Sequence, residues 1–376
     1  MTNKNTNDQI IESKAQRLLD FLSRRRDSLS PLLILTHDYP DPDALAAAMS
    51  LAYLAQQYFD ITPSITYGGV IGRNENKAMV RILKIPLHKI RPEYFKKYRN
   101  IALVDTQPEF KNNSFPEKRK ATIVLDQHAS TVKPSSELAI VDPECGATCV
   151  IVAKAILMQG DPIPARIATA LVYGVLSDTL GLYRVHRADV IQTYLSIISH
   201  CDLRLLAQIQ NPTRSRRFFL TLHRALSRSI FYRRLLVSHL GFVENPDLVS
   251  QMADFLLTYE KVQWSFCTGR YRGRLYVSLR TSKTNVQASE VLRAVFDNPR
   301  NAGGHDAIAG GSLKVAAYPS EELWQKTEQD LQFRLFRKLR RSVKAKLQRP
   351  FQTISPPPLM PTPEASKTEG PNRTST

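Results

Sequence analysis

The stretch THDYPDPDALAAAMS, residues 36–50, places one histidine and three aspartates within eight positions, in a chain whose net charge is +18. Neighbouring carboxylates repel one another, and burial raises their pKa unless a cation neutralises them. Carboxylate oxygens together with one or two imidazoles suit Mn²⁺ or Mg²⁺ better than the thiolate-rich sites of structural zinc. The stretch therefore predicts a site for a hard divalent cation.

Asp105, Asp126 and His128 stand where other apolar, strand-like runs end, and Asp178 follows the apolar run ALVYGVLS. Ligands bind at the carboxyl ends of the strands in open parallel sheets. Each residue alone also has a structural interpretation, such as Asp43 as a helix N-cap or Asp105 as a turn residue. Because several such positions are expected at one sheet edge, a common metal site is the favoured interpretation.

The elements that must position these residues follow an alternating pattern. Strand-like runs cover 31–36, 64–69, 100–106 and 121–128, and helical patterns cover 9–28, 43–58, 73–83, 149–159 and 165–179. Apolar strands alternating with helices predict an α/β fold, in which a parallel sheet is covered by helices on both faces.

The second half has a different pattern, which predicts a second, smaller α/β domain. Residues 264–282 predict a hairpin, 289–297 a short helix, 301–318 a glycine-punctuated loop and strand, and 321–349 a helix with a strongly basic end. The predicted organisation is a first domain at 15–187, a helical connector at 188–240, a second domain at 241–320, the basic helix at 321–349 and a disordered tail at 350–376.

Composition narrows the class of protein. The chain has 52 basic against 34 acidic residues and a pI near 9.8. This charge favours anionic partners such as nucleic acid or phosphorylated small molecules, although a solvated basic surface is the alternative.

No apolar run reaches the roughly 20 residues of a membrane span, and the N-terminus does not look like a signal peptide. Scattered cysteines without a CxxC pair predict free thiols, so we expect a cytoplasmic protein without membrane contacts. GGVIGR (68–73) misses the GxGxxG spacing of dinucleotide-binding proteins.

Six segments together resemble five motifs of the DHH family of phosphoesterases. HDYPDPDA is similar to the family's HxxPDxDA signature, VDT (104–106) to its second motif, LDQH (125–128) to its Asp-His-His motif and YGVLSDTLGLY (173–183) to its fourth motif. SLRTS (278–282) and AGGHDAIAGGSL (302–313) are similar to the DHH-associated domain. The resemblance covers roughly residues 15–320 and is nearest to the RecJ-like and nanoRNase-like phosphodiesterases.

This resemblance implies two Mn²⁺ ions, with Mg²⁺ as an alternative, that activate a hydroxide between them. It implies that His37, Asp41 and Asp105 hold the first ion, and that Asp43, Asp105 and Asp178 hold the second, with Asp105 bridging. Asp105 and His128 would be catalytic, and His128 would contact the substrate phosphate. The chain departs from the family at Gln127, where the middle histidine of the motif is replaced by a carboxamide, a weaker and neutral ligand for the second ion.

The resemblance also implies a substrate clamp in the second domain: Arg280, Ser282, Gly303, Gly304 and His305. Glycines allow an anion to approach backbone N–H groups, and an arginine can pair with a phosphate. A glycine-rich turn with an incidental histidine is the alternative.

The sequence thus predicts a metal-dependent phosphodiesterase or phosphatase that hydrolyses nanoRNA, 3′-phosphoadenosine 5′-phosphate or cyclic dinucleotides. Two alternatives stay open at this point. One is a nucleotide-binding regulator that has lost cleavage, and the other is a single-strand nucleic-acid-binding protein. The oligomeric state also stays open, with a homodimer compatible with these motifs.

Overall fold

A computed structural model describes residues 10–283, 286–305, 307–339 and 347–352. The chain divides after Arg214 into two compact units, 1–214 and 215–376. Within the described residues, no helix has the length and the apolar character that a membrane span needs.

The first unit contains a parallel six-stranded sheet with the order β3-β2-β1-β4-β5-β6. Its strands are β1 (Leu32–Thr36), β2 (Pro63–Tyr67), β3 (Leu87–Lys89), β4 (Asn100–Val104), β5 (Ala121–Asp126) and β6 (Ser136–Val141). Its helices are α1 (Ile10–Leu29), α2 (Pro42–Phe59), α3 (Asn74–Leu83), α4 (Pro92–Lys97), α5 (Cys149–Leu157), α6 (Ala165–Asp178), α7 (Ala188–Ile198) and α8 (Leu203–Gln210).

The central strands are apolar throughout because both faces of the sheet are covered. On one face, Leu32 and Ile34 pack in the large core formed with α1, α2, α5 and α6. On the other face, Leu33 and Leu35 pack against a smaller cluster that includes Phe95 of α4. The predicted parallel α/β fold with both faces covered is confirmed, although most helices lie on one face.

The strand order reverses between β1 and β4. The chain builds outwards from β1 to β2 and β3, then returns to place β4 on the other side of β1, in parallel register with it. The crevice at such a reversal, at the carboxyl ends of the two strands, is where open α/β sheets bind ligands.

The second unit contains a six-stranded sheet with the order β11-β12-β10-β9-β8-β7. Its strands are β7 (Ile230–Tyr232), β8 (Leu235–Phe242), β9 (Trp264–Tyr271), β10 (Arg274–Thr281), β11 (Ala302–His305) and β12 (Ile308–Lys314). Its helices are α9 (Arg216–Ser227), α10 (Asp247–Leu257), α11 (Ala288–Arg293) and α12 (Glu321–Lys338). The predicted hairpin is present as β9 and β10, whereas the predicted loop and strand at 301–318 form a second hairpin, β11 and β12.

The predicted connector at 188–240 is divided between the two units. Helices α7 and α8 contribute Val190, Ile197 and Ile209 to the core of the first unit, while α9 begins the second unit. Apolar faces on α7 and α8 explain this, because they pack on the sheet-covering helices instead of crossing solvent.

The prediction of one helix over 321–349 is wrong at its C-terminal end. Helix α12 ends at Lys338, and Gln348 forms an antiparallel bridge with Phe231 of β7. The aromatic contact of Phe351 with Tyr259 holds this short segment against the unit, so backbone pairing replaces helix there. The basic residues at 340–346 and the predicted disordered tail from 353 onwards lie outside the described residues.

The four cysteines are free, as predicted. Three of them are buried, whereas Cys201 is partly exposed.

Candidate metal centre

His37, Asp41 and Asp105 form a compact group at the reversal point of the first sheet. The Nε2 atom of His37 lies 3.8 Å from Oδ1 of Asp41 and 3.4 Å from Oδ2 of Asp105. One ligand atom from each residue lies within 4.8 Å of the others. Three side chains predicted to hold the first ion are therefore brought together.

Local hydrogen bonds orient the side chains of His37 and Asp41. The Nδ1 atom of His37 lies 2.8 Å from the backbone oxygen of Asp38, which leaves Nε2 facing the carboxylates. Asp41 is the N-cap of α2, since its Oδ1 accepts a hydrogen bond from the backbone N–H of Ala44 at 3.0 Å. A metal-binding histidine is commonly oriented in this way by a hydrogen bond to its second ring nitrogen.

Asp105 is the most constrained member of the group. Its backbone has φ of 59°, a left-handed conformation that aspartate tolerates better than most residues. Its side chain is buried, and its Oδ1 accepts a hydrogen bond from the Thr148 hydroxyl at 3.0 Å. The carboxylate is thus held in place by this hydrogen bond. In the described ion pairs of Asp105, its partners are histidines and not lysine or arginine.

The electrostatics of this group are those of a site for a cation. Burial and the charge of Asp41 raise the pKa of Asp105. Burial lowers the pKa of His37, but hydrogen bonds to Asp105 and Asp41 outweigh that effect and raise it well above its ordinary value. Two carboxylates with one imidazole are a donor set that suits a divalent cation.

The side chain of Asp43, the second residue of α2, is buried next to the first residues of α5. Its Oδ2 accepts a hydrogen bond from the backbone N–H of Thr148 at 2.7 Å, and its Oδ1 accepts one from Cys149 at 2.9 Å. The residue is fully buried, and burial together with the charges of Asp105 and Asp178 raises its pKa well above the usual range.

Asp178, the last residue of α6, is brought near this group by close helix packing. Gly174, one turn earlier, approaches α2 so closely that a Cβ there would lie 2.8 Å from the Cβ of Ala46. Burial and the charges of Asp41 and Asp105 raise the pKa of Asp178 to about 6.

Gln127 lies between Asp43 and Asp178. Its amide nitrogen donates a hydrogen bond to Oδ2 of Asp178 and lies 3.5 Å from Oδ2 of Asp43. The three residues predicted to hold the second ion are less compact. Among the described residues, the groups whose ligand atoms lie within 4.8 Å of one another do not include the set of Asp43, Asp105 and Asp178.

A second compact group contains Asp105, Asp126 and His128. The Nδ1 atom of His128 lies 2.8 Å from Oδ1 of Asp126 and 3.6 Å from Oδ1 of Asp105. The hydrogen bond to Asp126 raises the pKa of His128 to about 9, and half of the imidazole side chain stays exposed.

Sequence reasoning missed the residues that support these groups. Gln107 is buried, and its amide donates to Asp126 at 2.7 Å and to the backbone oxygen of His128 at 2.8 Å. Thr148 bonds both Asp43 and Asp105. The sequence signal that could have indicated this role is the position of Gln107, two residues after Asp105, which follows β4.

The residues predicted to form a clamp lie on β10 and β11 and beside them. Arg280 is buried, and its guanidinium donates to Asp254 at 2.5 Å and to the backbone oxygen of Ala309 at 3.1 Å. Ser282 is exposed. Gly303 and Gly304 pair with Gly310 and Ala309 of β12, and the side chain of His305 lies outside the described residues. Binding of substrate by these five residues stays a prediction.

Comparison with known proteins identifies the two units. Residues 31–175 match the DHH family N-terminal domain, and residues 232–329 match the DHHA1 domain. The chain belongs to the DHH family. The residues of the candidate metal centre up to His128 fall within the first match, and Asp178 lies just beyond it.

Two curated proteins are similar to this chain in sequence. An uncharacterized protein of Methanocaldococcus jannaschii, MJ1633, is 32% identical over 312 residues, which are 82% of this chain and 63% of that protein. A probable manganese-dependent inorganic pyrophosphatase of Enterococcus faecalis is 26% identical over 153 residues, 40% of this chain and 49% of that protein. The chain thus spans less than two thirds of the length of either relative.

A solved structure of an exopolyphosphatase-related protein from Bacteroides fragilis has the same fold. It is 16% identical, the match covers 87% of this chain and 98% of that chain, and the TM-score is 0.66. The manganese-dependent relative and the acidic groups of this chain both support the use of a divalent metal ion.

Proposed function

We propose that this chain is a metal-dependent phosphoesterase that hydrolyses small nucleotides or short oligonucleotides. The observation that carries the proposal is the group formed by His37, Asp41 and Asp105, within a DHH family domain. A divalent cation held there would supply Lewis acidity and lower the pKa of a bound water. Mn²⁺ is the ion we propose, with Mg²⁺ as the alternative, and the family resemblance implies two ions.

The residues of the chain have separate tasks in this proposal. His37, Asp41 and Asp105 hold the cation. His128, whose pKa of about 9 keeps it protonated at neutral pH, pairs with a phosphate oxygen of the substrate and offsets its negative charge. Asp126 orients that imidazole through its 2.8 Å contact.

The substrate class rests on charge and on the second domain. The net charge of +18 favours a polyanionic substrate. The DHHA1 domain carries the paired glycine-rich strands β11 and β12, where Gly303, Gly304 and His305 would bind a nucleotide. Nucleotides and short single strands are the proposed partners, in the cytoplasm, and a homodimer is compatible with the proposal.

One observation favours a second function. Gln127 replaces an imidazole with an amide beside Asp43 and Asp178, which would suit a nucleotide-binding regulator that does not cleave. Binding of single-stranded nucleic acid as the main activity rests on net charge alone.

The test is a substrate panel. Purified full-length chain is incubated with Mn²⁺, Mg²⁺ or EDTA together with a diribonucleotide, a five-nucleotide RNA, 3′-phosphoadenosine 5′-phosphate, a cyclic dinucleotide or pyrophosphate, and the products are separated by chromatography. We expect metal-dependent release of mononucleotides from at least one nucleotide substrate. Tight binding of a nucleotide without any product would favour the regulator, and hydrolysis of pyrophosphate alone would contradict the proposed substrate class.

A further inference from the structure

We infer that the Gln127 amide closes the second cation position, so that this chain binds one divalent ion tightly, at His37, Asp41 and Asp105. The inference rests on the metal centre of the proposed function and concerns the number of ions in it. It differs from the two ions that the family resemblance implies.

The position of the amide carries the argument. Its nitrogen donates to Asp178 and faces Oδ2 of Asp43 at 3.5 Å. An amide NH₂ group is a donor without acceptor capacity, so the group that faces Asp43 and Asp178 cannot ligate a cation. The hydrogen atoms of the amide lie between the two carboxylates, in the place where a cation would otherwise bind.

Rotating the amide does not restore a good site. With the amide turned over, the hydrogen bonds to Asp178 and Asp43 are lost, and in the metal-free chain the amide oxygen faces two carboxylates with no donor between them. A cation entering this position would have to displace the NH₂ group from both carboxylates, and Gln127 would offer it one neutral oxygen in place of the family's imidazole.

Asp43 is also already engaged. Both of its oxygens accept backbone hydrogen bonds, from Thr148 and Cys149, at the start of α5. Each oxygen therefore already has one hydrogen-bond partner from the backbone. By contrast, the Nε2 atom of His37 faces the carboxylates of Asp41 and Asp105 directly, and no amide lies between those three side chains in the contacts described for them. The two positions therefore differ in the amide donor that lies between the carboxylates of the second.

The test is the stoichiometry of Mn²⁺ binding to the metal-free full-length chain, measured by titration calorimetry and by electron paramagnetic resonance. Gln127→His restores an imidazole, and Gln127→Ala removes the amide without adding a ligand. Gln56→His, at an exposed position of α2, is the matched control for an added surface histidine. Asp105→Asn reports on the metal centre itself.

We expect about one tightly bound ion in the wild type, with any second ion at least about tenfold weaker, and the six-line spectrum of an isolated Mn²⁺. Gln127→His should bind two ions and give a spin-coupled spectrum, while Gln56→His should behave as the wild type. If Gln127→His does not fold, Gln127→Ala should still show a second ion more clearly than the wild type.

Two ions of similar affinity in the wild type would overturn the inference and leave the proposed function standing. So would a single ion in both Gln127 variants. A wild type that binds no ion, with Asp105→Asn unchanged from it, would overturn the proposed metal centre and the inference together.

Discussion

The Oδ2 atom of Asp105 lies 3.4 Å from the Nε2 atom of His37. The two residues follow β4 and β1, which are adjacent parallel strands, so the sheet itself sets their separation. A rigid pair at the reversal point of the strand order gives the centre a fixed geometry before any cation arrives, and preorganised ligands reduce the cost of binding.

Asp105→Asn should abolish the stabilisation that Mn²⁺ gives to the folded chain. A ligand at 100 times its Kd stabilises the native state by about 2.7 kcal/mol, so we expect Mn²⁺ to raise the Tm of the wild type and not of the variant. Asparagine also tolerates the left-handed backbone at this position. Scanning calorimetry with EDTA and with Mn²⁺ measures this.

The matched control for that experiment is Asp38→Asn. The Asp38 side chain accepts a hydrogen bond from Ser114 at 3.1 Å and is not part of the group of three. It should keep the Mn²⁺-dependent rise in Tm. Equal responses of the two variants would contradict the assignment of Asp105.

Asp126→Asn should lower the pKa of His128 from about 9 towards the ordinary value of about 6.5. The hydrogen bond to Asp126 is the largest cause of the raised pKa. A raised histidine pKa stabilises the folded state fully below about pH 6.5, and this contribution is lost as the pH rises through about 9. An NMR titration of the imidazole in the metal-free chain checks the shift, and an unchanged pKa would exclude Asp126 as its cause.

Asp142→Asn should destabilise the first unit in a pH-dependent way. Asp142 is buried and pairs with Lys14 at 2.8 Å and with Arg187 at 2.7 Å. Burial raises its pKa, but the hydrogen bonds to these two cations outweigh burial and lower it. Breaking a buried ion pair costs about 3 kcal/mol or more, and we expect a loss of that size in the free energy of unfolding at pH 7.

The sign of the pH effect follows from the lowered pKa. The stabilisation is present above the unfolded-state pKa of about 3.9 and is lost as the pH falls through the lower pKa of the folded state. The wild type and Asp142→Asn should therefore converge in strong acid. Glu137→Gln, which breaks an exposed pair with Arg25, is the control and should cost less than about 1 kcal/mol; equal losses would contradict the buried-pair assignment.

Gly304→Ala should destabilise the second unit, whereas Gly303→Ala should be tolerated. Gly304 has φ of 136°, and a Cβ there would lie 2.2 Å from the backbone oxygen of Ile308. A Cβ at Gly303 meets nothing within 4 Å. We expect a cost of about 1–3 kcal/mol for Gly304→Ala, measured by urea unfolding of the full chain, and the reverse order of the two variants would contradict the β11–β12 geometry.

The sequence was sufficient to predict the parallel sheet and the residues at its edge, because apolar strands followed by His37, Asp105 and Asp126 carry a strong local pattern. It was not sufficient for contacts that depend on tertiary packing. The hydrogen bonds of Gln107 and Thr148 to the carboxylates come from elements far apart in sequence. The end of α12 was missed because basic residues favour helix locally, whereas pairing of Gln348 with β7 decides the structure there.

In the proposed function, a divalent cation held by His37, Asp41 and Asp105 is required for phosphoester hydrolysis. The most direct test measures hydrolysis of a diribonucleotide by the full-length chain as a function of Mn²⁺ concentration, for the wild type and for Asp105→Asn. We predict saturable, EDTA-reversible turnover for the wild type and a loss of at least about a thousandfold for the variant, as expected when a group needed for catalysis is removed. Turnover by the wild type that is unaffected by EDTA, or near-normal turnover by Asp105→Asn, would contradict it.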